Sequence, residues 1–304
     1  MEQDLPADLP VVAKRRRSAR RRKTLTPYAL IFPGWLWLVL FFVVPTFVML
    51  SLSLQTGSLE EGYSQTFHWS TYSDALTTYR PQLTRSLMYA VLVTVIALAV
   101  SYPMSYWIAF HGGRRKSSYL LLVLLPFFVS FVIRTLSWQF LLSDDGILLG
   151  PLKRHGLLSQ DFHLLATSAA VVGGLVYNFL PFMALPLFVA LERIDPRLLE
   201  AAGDLYATKF EAFRRVVLPL SLPGVFAGVL LTFVPAAADY VNASILGGTN
   251  TTMIGTIIQS RFLINNDYPL AAALSFILMA VLLAGVLLYA RILGTEEVME
   301  AAAG

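Results

Sequence analysis

The chain has 304 residues, of which 56% are apolar and only 14% charged, with a mean hydropathy of +0.64. Soluble domains carry about 25% charged residues, so a water-soluble pair of domains is excluded: too few polar side chains remain to cover the surface. Cysteine is absent, which removes disulfides, thiolate metal sites and thiol nucleophiles. The net charge of +4 hides an uneven distribution, because eight of the 23 Lys and Arg lie between Lys14 and Lys23.

Residues 1–27 form a basic tail. Its run KRRRSARRRK has the composition of a nucleic-acid arm, but beside a first apolar span it reads as a topology anchor touching anionic lipid. No nucleic-acid partner is expected. A cleaved signal peptide is not expected, since the following apolar run is too long and no small-residue cleavage site follows it. Six stretches supply the roughly 20 mostly apolar residues that a spanning helix needs: 28–54, 86–110, 119–142, 164–190, 217–240 and 270–293. Pro33 and Pro45 are expected to shorten or kink the first. The polar gaps are too short for an inserted soluble domain, and no internal repeat is apparent.

Orientation follows from Lys and Arg. The N-terminal tail, the turn at Arg114–Lys116, the 191–216 gap and Arg291, just before the C-terminal tail (294–304), together hold seventeen, against five in the alternate gaps. Both termini are therefore expected in the cytoplasm.

The gap from Glu192 to Gly224 reads ERIDPRLLEAAGDLYATKFEAFRRVVLPLSLPG. Asp195 and Pro196 form a helix start, Leu198, Leu199, Ala202, Leu205 and Tyr206 recur at helical spacing, and Phe210, Phe213, Val216 and Val217 extend the stripe. By periodicity alone this is an amphipathic helix that could lie on a membrane surface. Glu200-Ala201-Ala202, with Val216, Leu218 and Pro219 at the appropriate spacings, resembles the EAA loop of ABC-importer permeases. The resemblance implies a coupling segment, about 192–219, in which Glu200, Ala201, Ala202, Gly203, Leu205 and Pro219 meet a cytoplasmic ATPase. One position departs: the glycine of the pattern is Tyr206, with Gly203 the nearest glycine. Glycine there permits a bend that tyrosine makes costlier.

Residues 126–142, 174–205, 218–248 and 253–263 are similar to the PotB/PotH-type permeases of spermidine/putrescine importers, a resemblance that runs from about 28 to 293. It implies an all-α bundle of six membrane helices of the MetI-like kind in a bacterial inner membrane. Its implied partners are a second homologous permease subunit, two ATPase subunits that bind ATP and Mg, and an extracytoplasmic solute-binding protein. No cofactor is implied for this chain. Ferric-iron and sulfate permeases share the EAA loop, and a gradient-driven secondary transporter is the rival from another class. An enzyme finds no support: HGGRRKSS lacks the glycine that must precede the phosphate-loop lysine. His68, His111, His155 and His163 form no metal-ligand spacing either.

Only Arg134 and Asp239 fall well inside apolar spans. A charge there is expensive and faces protein or a water-filled path. Arg134 precedes Asp144 by ten residues, about 15 Å of helical rise, and Asp239 precedes Gly247 by eight, about 12 Å, so both are placed at similar depth in the outer half. Either they pair and fix two helices, or Asp239 lines the route and attracts a cation. Tyr177 offers a π-face to an ammonium group, Asn178 a hydrogen bond to a neighbouring helix. Trp138, one turn after Arg134, is a belt residue or a substrate contact. Pro235 gives the fifth span a place to bend, and Gly224 with Gly228 permits close helix packing.

Overall fold

The computed structural model describes residues 31–292; the basic tail and the C-terminal tail lie outside the described residues. The chain order begins with helix α1 (Ile31–Ser53), a hairpin of β1 (Gln55–Ser58) and β2 (Gly62–Gln65), short α2 (Ser70–Thr78) and long α3 (Arg80–His111). It continues with α4 (Gly113–Phe128) and α5 (Phe131–Leu142), short α6 (Leu149–Arg154) and α7 (Ser168–Glu192). The remainder is α8 (Pro196–Asp204), α9 (Lys209–Ala237), α10 (Val241–Leu246), α11 (Ile254–Leu263) and α12 (Tyr268–Ile292). Five of these helices are long and apolar enough to cross a membrane, and there are six such segments if the bent pair α4 and α5 is counted as one broken span.

The centre is α3, α7 and α9, which pack against one another more extensively than any other elements. Val93 and Ala97 of α3, with Leu175, Met183, Leu187 and Leu191 of α7, are fully buried between them. Two α3 serines one turn apart bond α7 carbonyls, Ser101 to Leu180 O at 3.4 Å and Ser105 to Ala184 O at 3.0 Å. Tyr102 and Ser221 share a hydrogen bond of 2.7 Å across to α9. Hydrogen bonds and close packing, not apolar surface, favour helix association in lipid. At the cytoplasmic end a second cluster joins Ile108, Phe188, Leu191, Ile194 and Val217.

The third span differs from the sequence expectation of one continuous helix. α4 and α5 meet at 89°, because Val129 and Ser130 are extended (ψ 139° for both) and Val129 N–H turns back to Pro126 O. α1 is also not interrupted where Pro45 was expected to shorten it. A π-turn over Val39–Val43 precedes the proline, Val44 N–H bonding Val39 O, and the helix continues. The same device recurs before Pro219, where Leu218 N–H bonds Phe213 O across the π-turn Phe213–Val217. Widening the turn lets the helix pass a residue that has no N–H and crowds the carbonyl four residues back. The small hairpin was not foreseen either. It pairs Gln55 with Gln65 and Ser58 with Gly62, and Tyr63 rests on Tyr268 with its hydroxyl on Asn266 O.

Candidate functional site

A buried polar chain joins three separate elements in the middle of the bundle. The α9 helix ends at Ala237, and Asp239 lies in the short break before α10. Its carboxylate accepts from Asn242 twice, Oδ1 from the backbone N–H at 2.8 Å and Oδ2 from Nδ2 at 3.3 Å. Asn242 Oδ1 accepts in turn from Asn178 Nδ2 of α7 at 3.0 Å and lies 3.3 Å from Thr135 Oγ1 of α5. Asn178 Nδ2 also reaches Thr135 Oγ1 at 3.1 Å. Thr135, Asn178 and Asn242 are fully buried.

The break packs closely on α11. The carbonyls of Ala238 and Asp239 approach Gly255 so closely that a Cβ there would lie 2.9 Å from Asp239 O. Pro235, two residues before the helix end, removes one further ladder hydrogen bond. Ala238 and Tyr240, the neighbours of Asp239, line a largely apolar groove of about 810 Å³ with Met49, Gln259, Phe262 and Leu278.

Arg134 and Asp239 form no ion pair, so the pairing that similar depth suggested is not made. Arg134 is 94% buried, with its guanidinium carbon 4.8 Å from the Phe127 ring centre and 5.6 Å from that of Phe131, on the two sides of the α4–α5 break. Its Nε and Nη1 have no hydrogen-bond partner; the aromatic faces are its attraction. Trp138 packs on Tyr177 at 5.5 Å, Tyr177 being exposed and Trp138 half-buried. The structure thus brings Asn178 to Asp239 through Asn242, and Trp138 to Tyr177. The sequence reading missed Thr135 and Asn242. Asn242 had a signal, since an Asp three residues ahead of an amide donor is a helix-start pattern; Thr135 had only its position beside Arg134.

The coupling loop is two helices, not one amphipathic stripe. Asp195 Oδ1 accepts from Arg197 N–H at 2.9 Å and starts α8, with Pro196 in the first turn. α8 stops at a left-handed residue: Tyr206 has φ 59°, its N–H donates to Gly203 O at 2.9 Å, and Ala207 N–H donates to Ala202 O at 3.0 Å. This pair of bonds is the C-terminal motif in which glycine is the usual occupant, and an L side chain in that conformation costs about 1–2 kcal/mol. Thr208 and Glu211 then cap α9 reciprocally at 2.8 and 3.3 Å. Phe213 anchors its start edge-on to Tyr102 at 5.6 Å and Tyr106 at 6.0 Å. Glu200, Ala201, Gly203, Leu205 and Pro219 are exposed and Ala202 is half-buried. The loop therefore offers its motif to the outside while its far end is built into the bundle core.

Residues 101–293 match the family described as binding-protein-dependent transport system inner membrane component. The chain belongs to this family. The match contains the broken third span, the polar chain and the coupling loop. Among relatives, the spermidine/putrescine transport system permease protein PotB of Haemophilus influenzae is 37% identical, with 81% of this chain and 88% of the relative aligned. PotB of Escherichia coli is 34% identical over 84% of this chain and 93% of its own length. A solved bacterial ABC transporter involved in the import of the acidic polysaccharide alginate has the same fold, with a TM-score of 0.68 at 20% identity over 91% of this chain and 98% of that one. As a member of this family the chain is a multi-pass bacterial inner-membrane protein and a transport subunit, not an enzyme.

Proposed function

We propose that this chain is one permease subunit of an ATP-driven importer for a polyamine of the spermidine/putrescine class. The observation that carries the reading is Asp239: a carboxylate 93% buried in the break of a spanning segment, with no cationic partner among the described residues. A carboxylate offers about four acceptor sites, and Asn242 takes two of them. The remaining capacity suits an ammonium group, and a buried charge without a partner in its own chain marks a pathway. The names of the PotB relatives support the same substrate class.

In this reading Asp239 attracts the passing cation and Asn242, Asn178 and Thr135 hold it in place. Tyr177 and Trp138 present aromatic faces to an ammonium or methylene group. Arg134 is kept on Phe127 and Phe131 and makes no ion pair with Asp239, which leaves that carboxylate to the cation. A second related permease completes the pathway, an extracytoplasmic binding protein delivers the solute, and two ATPase subunits hold ATP and Mg. Their closure moves α8, and the Phe213–Val217 turn carries that motion through Val217 into α9, at whose far end Asp239 sits.

The test is uptake into proteoliposomes by the assembled complex with its binding protein, offered spermidine, putrescine and sulfate. ATP-dependent, vanadate-sensitive polyamine uptake is expected, lowered about tenfold or more by Asp239→Asn, the equivalent of about 1.4 kcal/mol. Uptake of sulfate in place of polyamine, or uptake driven by an ion gradient without ATP, overturns the proposal.

A further inference from the structure

The break between α4 and α5 gathers hydrogen-bond donors that no described residue satisfies. Ser130 stands at the N-cap of α5 with extended backbone, yet its hydroxyl makes no capping bond, so the amides of Phe131, Val132 and Ile133 receive none from a side chain. The first amide served by the helix itself is that of Arg134, which donates to Ser130 O at 3.0 Å. The Arg134 side chain leans back toward this first turn, as helical side chains do. Its guanidinium carbon lies 4.8 Å from the ring centre of Phe127, before the break, and 5.6 Å from that of Phe131, after it. The residue is 94% buried, and Nε and Nη1 have no hydrogen-bond partner. No carboxylate among the described residues pairs with it. The two rings attract the charge but leave those N–H groups unbonded. A buried guanidinium in that condition is costly, and the start of a helix adds positive field to it. Free amides and an unpartnered guanidinium at one break are the donor set of an oxyanion site.

We propose that the α4–α5 break binds the phosphate group of a membrane phospholipid. Two observations select a lipid over a free anion. Phe128, Val132, Ile133 and Phe140 around the break are 79%, 46%, 56% and 73% exposed, an apolar surface that acyl chains cover and an inorganic ion does not. Depth agrees: fifteen residues of α4 separate Gly113 from Phe128, a rise of about 22 Å through a hydrocarbon layer about 30 Å thick. The break therefore lies in the half of the bilayer opposite the basic turn, within reach of that leaflet's headgroups. Irregular backbone at such depth needs polar cover, and the phosphate supplies it. Thr135, next to Arg134, lies 3.3 Å from Asn242 Oδ1, so the bound lipid braces the broken span where it meets the polar chain. The site stands on this geometry and on membrane residence, independently of which solute is carried.

Two variants of the full chain test it, Arg134→Gln and Ser130→Asp. The first removes the charge. The second places a carboxylate of the chain itself on the free amides, filling the site from inside while Arg134 stays. The assembled complex, delipidated in detergent, is titrated with phosphatidylglycerol, with diacylglycerol of the same chains and with inorganic phosphate, and bound molecules are counted by native mass spectrometry. The wild type is expected to hold a phosphatidylglycerol that both variants bind about tenfold or more weakly. Ser130→Asp is expected to unfold thermally at or above the wild-type temperature, which separates loss of the site from loss of the fold. Diacylglycerol and inorganic phosphate are expected to bind the wild type and the variants alike. A folded Ser130→Asp complex that keeps the phospholipid overturns the proposal. Inorganic phosphate that takes the place of the lipid at the same site overturns it in favour of a free anion. Unchanged phospholipid binding together with loss of the second permease subunit from the Arg134→Gln complex overturns it in favour of a carboxylate on that subunit.

Discussion

α1 and α7 are both apolar enough to cross a membrane, and α1 is the more hydrophobic, yet only 6% of its most apolar stretch is buried against 61% for α7. In water that order would be reversed. In a bilayer, lipid tails solvate an apolar side chain as well as protein does, so hydrophobicity has no inward direction. Burial goes to the helix that can be approached closely and can exchange hydrogen bonds. α7 accepts from Ser101 and Ser105 and contributes Asn178 to the polar chain. α1 presents Phe32, Trp35, Phe42 and Phe47 outward.

A matched pair of substitutions gives this contrast its largest expected effect. A Cβ on Gly224 of α9 would lie 2.5 Å from Ala190 Cβ and 2.6 Å from Pro186 O of α7, whereas one on Gly34 of α1 meets nothing within 4 Å. Gly224→Val is expected to destabilise by about 1–3 kcal/mol and Gly34→Val to leave thermal unfolding in detergent unchanged. Equal effects would break the comparison.

A smaller effect is expected from the hydrogen bonds. Asn178→Ala removes the bonds to Thr135 and Asn242 and should cost about 1 kcal/mol, given averages near 0.6 and maxima near 1.7 for membrane pairs. Thr46→Ala on α1 removes only a bond to its own helix, at Phe42 O, and should not register in the same unfolding measurement.

The smallest effect lies outside both helices, at the extracytoplasmic turn. Asp144 accepts from Lys153 Nζ at 2.8 Å and from His163 Nδ1 at 2.6 Å, and those partners, Lys153 first, hold its carboxyl below the ordinary value of 3.8. A depressed carboxylate stabilises above its ordinary value and ceases to do so as pH falls through the depressed one. Hydrogen-exchange protection of residues 143–163 should therefore decline as pH falls below 3.8. Asp144→Asn should remove that decline; a variant that keeps it would dissociate the pH effect from this pair.

Much of the architecture was legible because its signals are local. Six apolar stretches, the Asp195–Pro196 helix start and the Glu200–Ala202 motif each depend on neighbours in the chain. Gly224 was legible too, since a small residue in an apolar span has few other uses. What could not be read was the 89° break after Phe128, for Val129 and Ser130 carry no strong turn signal. The split of the coupling loop at Tyr206 ran against local preference. The polar chain was half visible: Asp239 and Asn178 announced themselves as polar groups in apolar runs, while Thr135 and Asn242 gained their roles only from each other.

The sequence by itself determined that this chain lies in a membrane, which stretches are apolar enough to cross it, which segments carry the Lys/Arg excess and which two charges fall inside apolar runs. Those follow from transfer free energies and Lys/Arg counts, which add along the chain without reference to its folding. The tertiary structure alone decided that Arg134 stacks on Phe127 and Phe131 and leaves Asp239 to Asn242. It also decided which apolar helix is core and which faces outward. Partner choice in a bundle is set by which helices approach and at what register, and that geometry is a property of three segments at once.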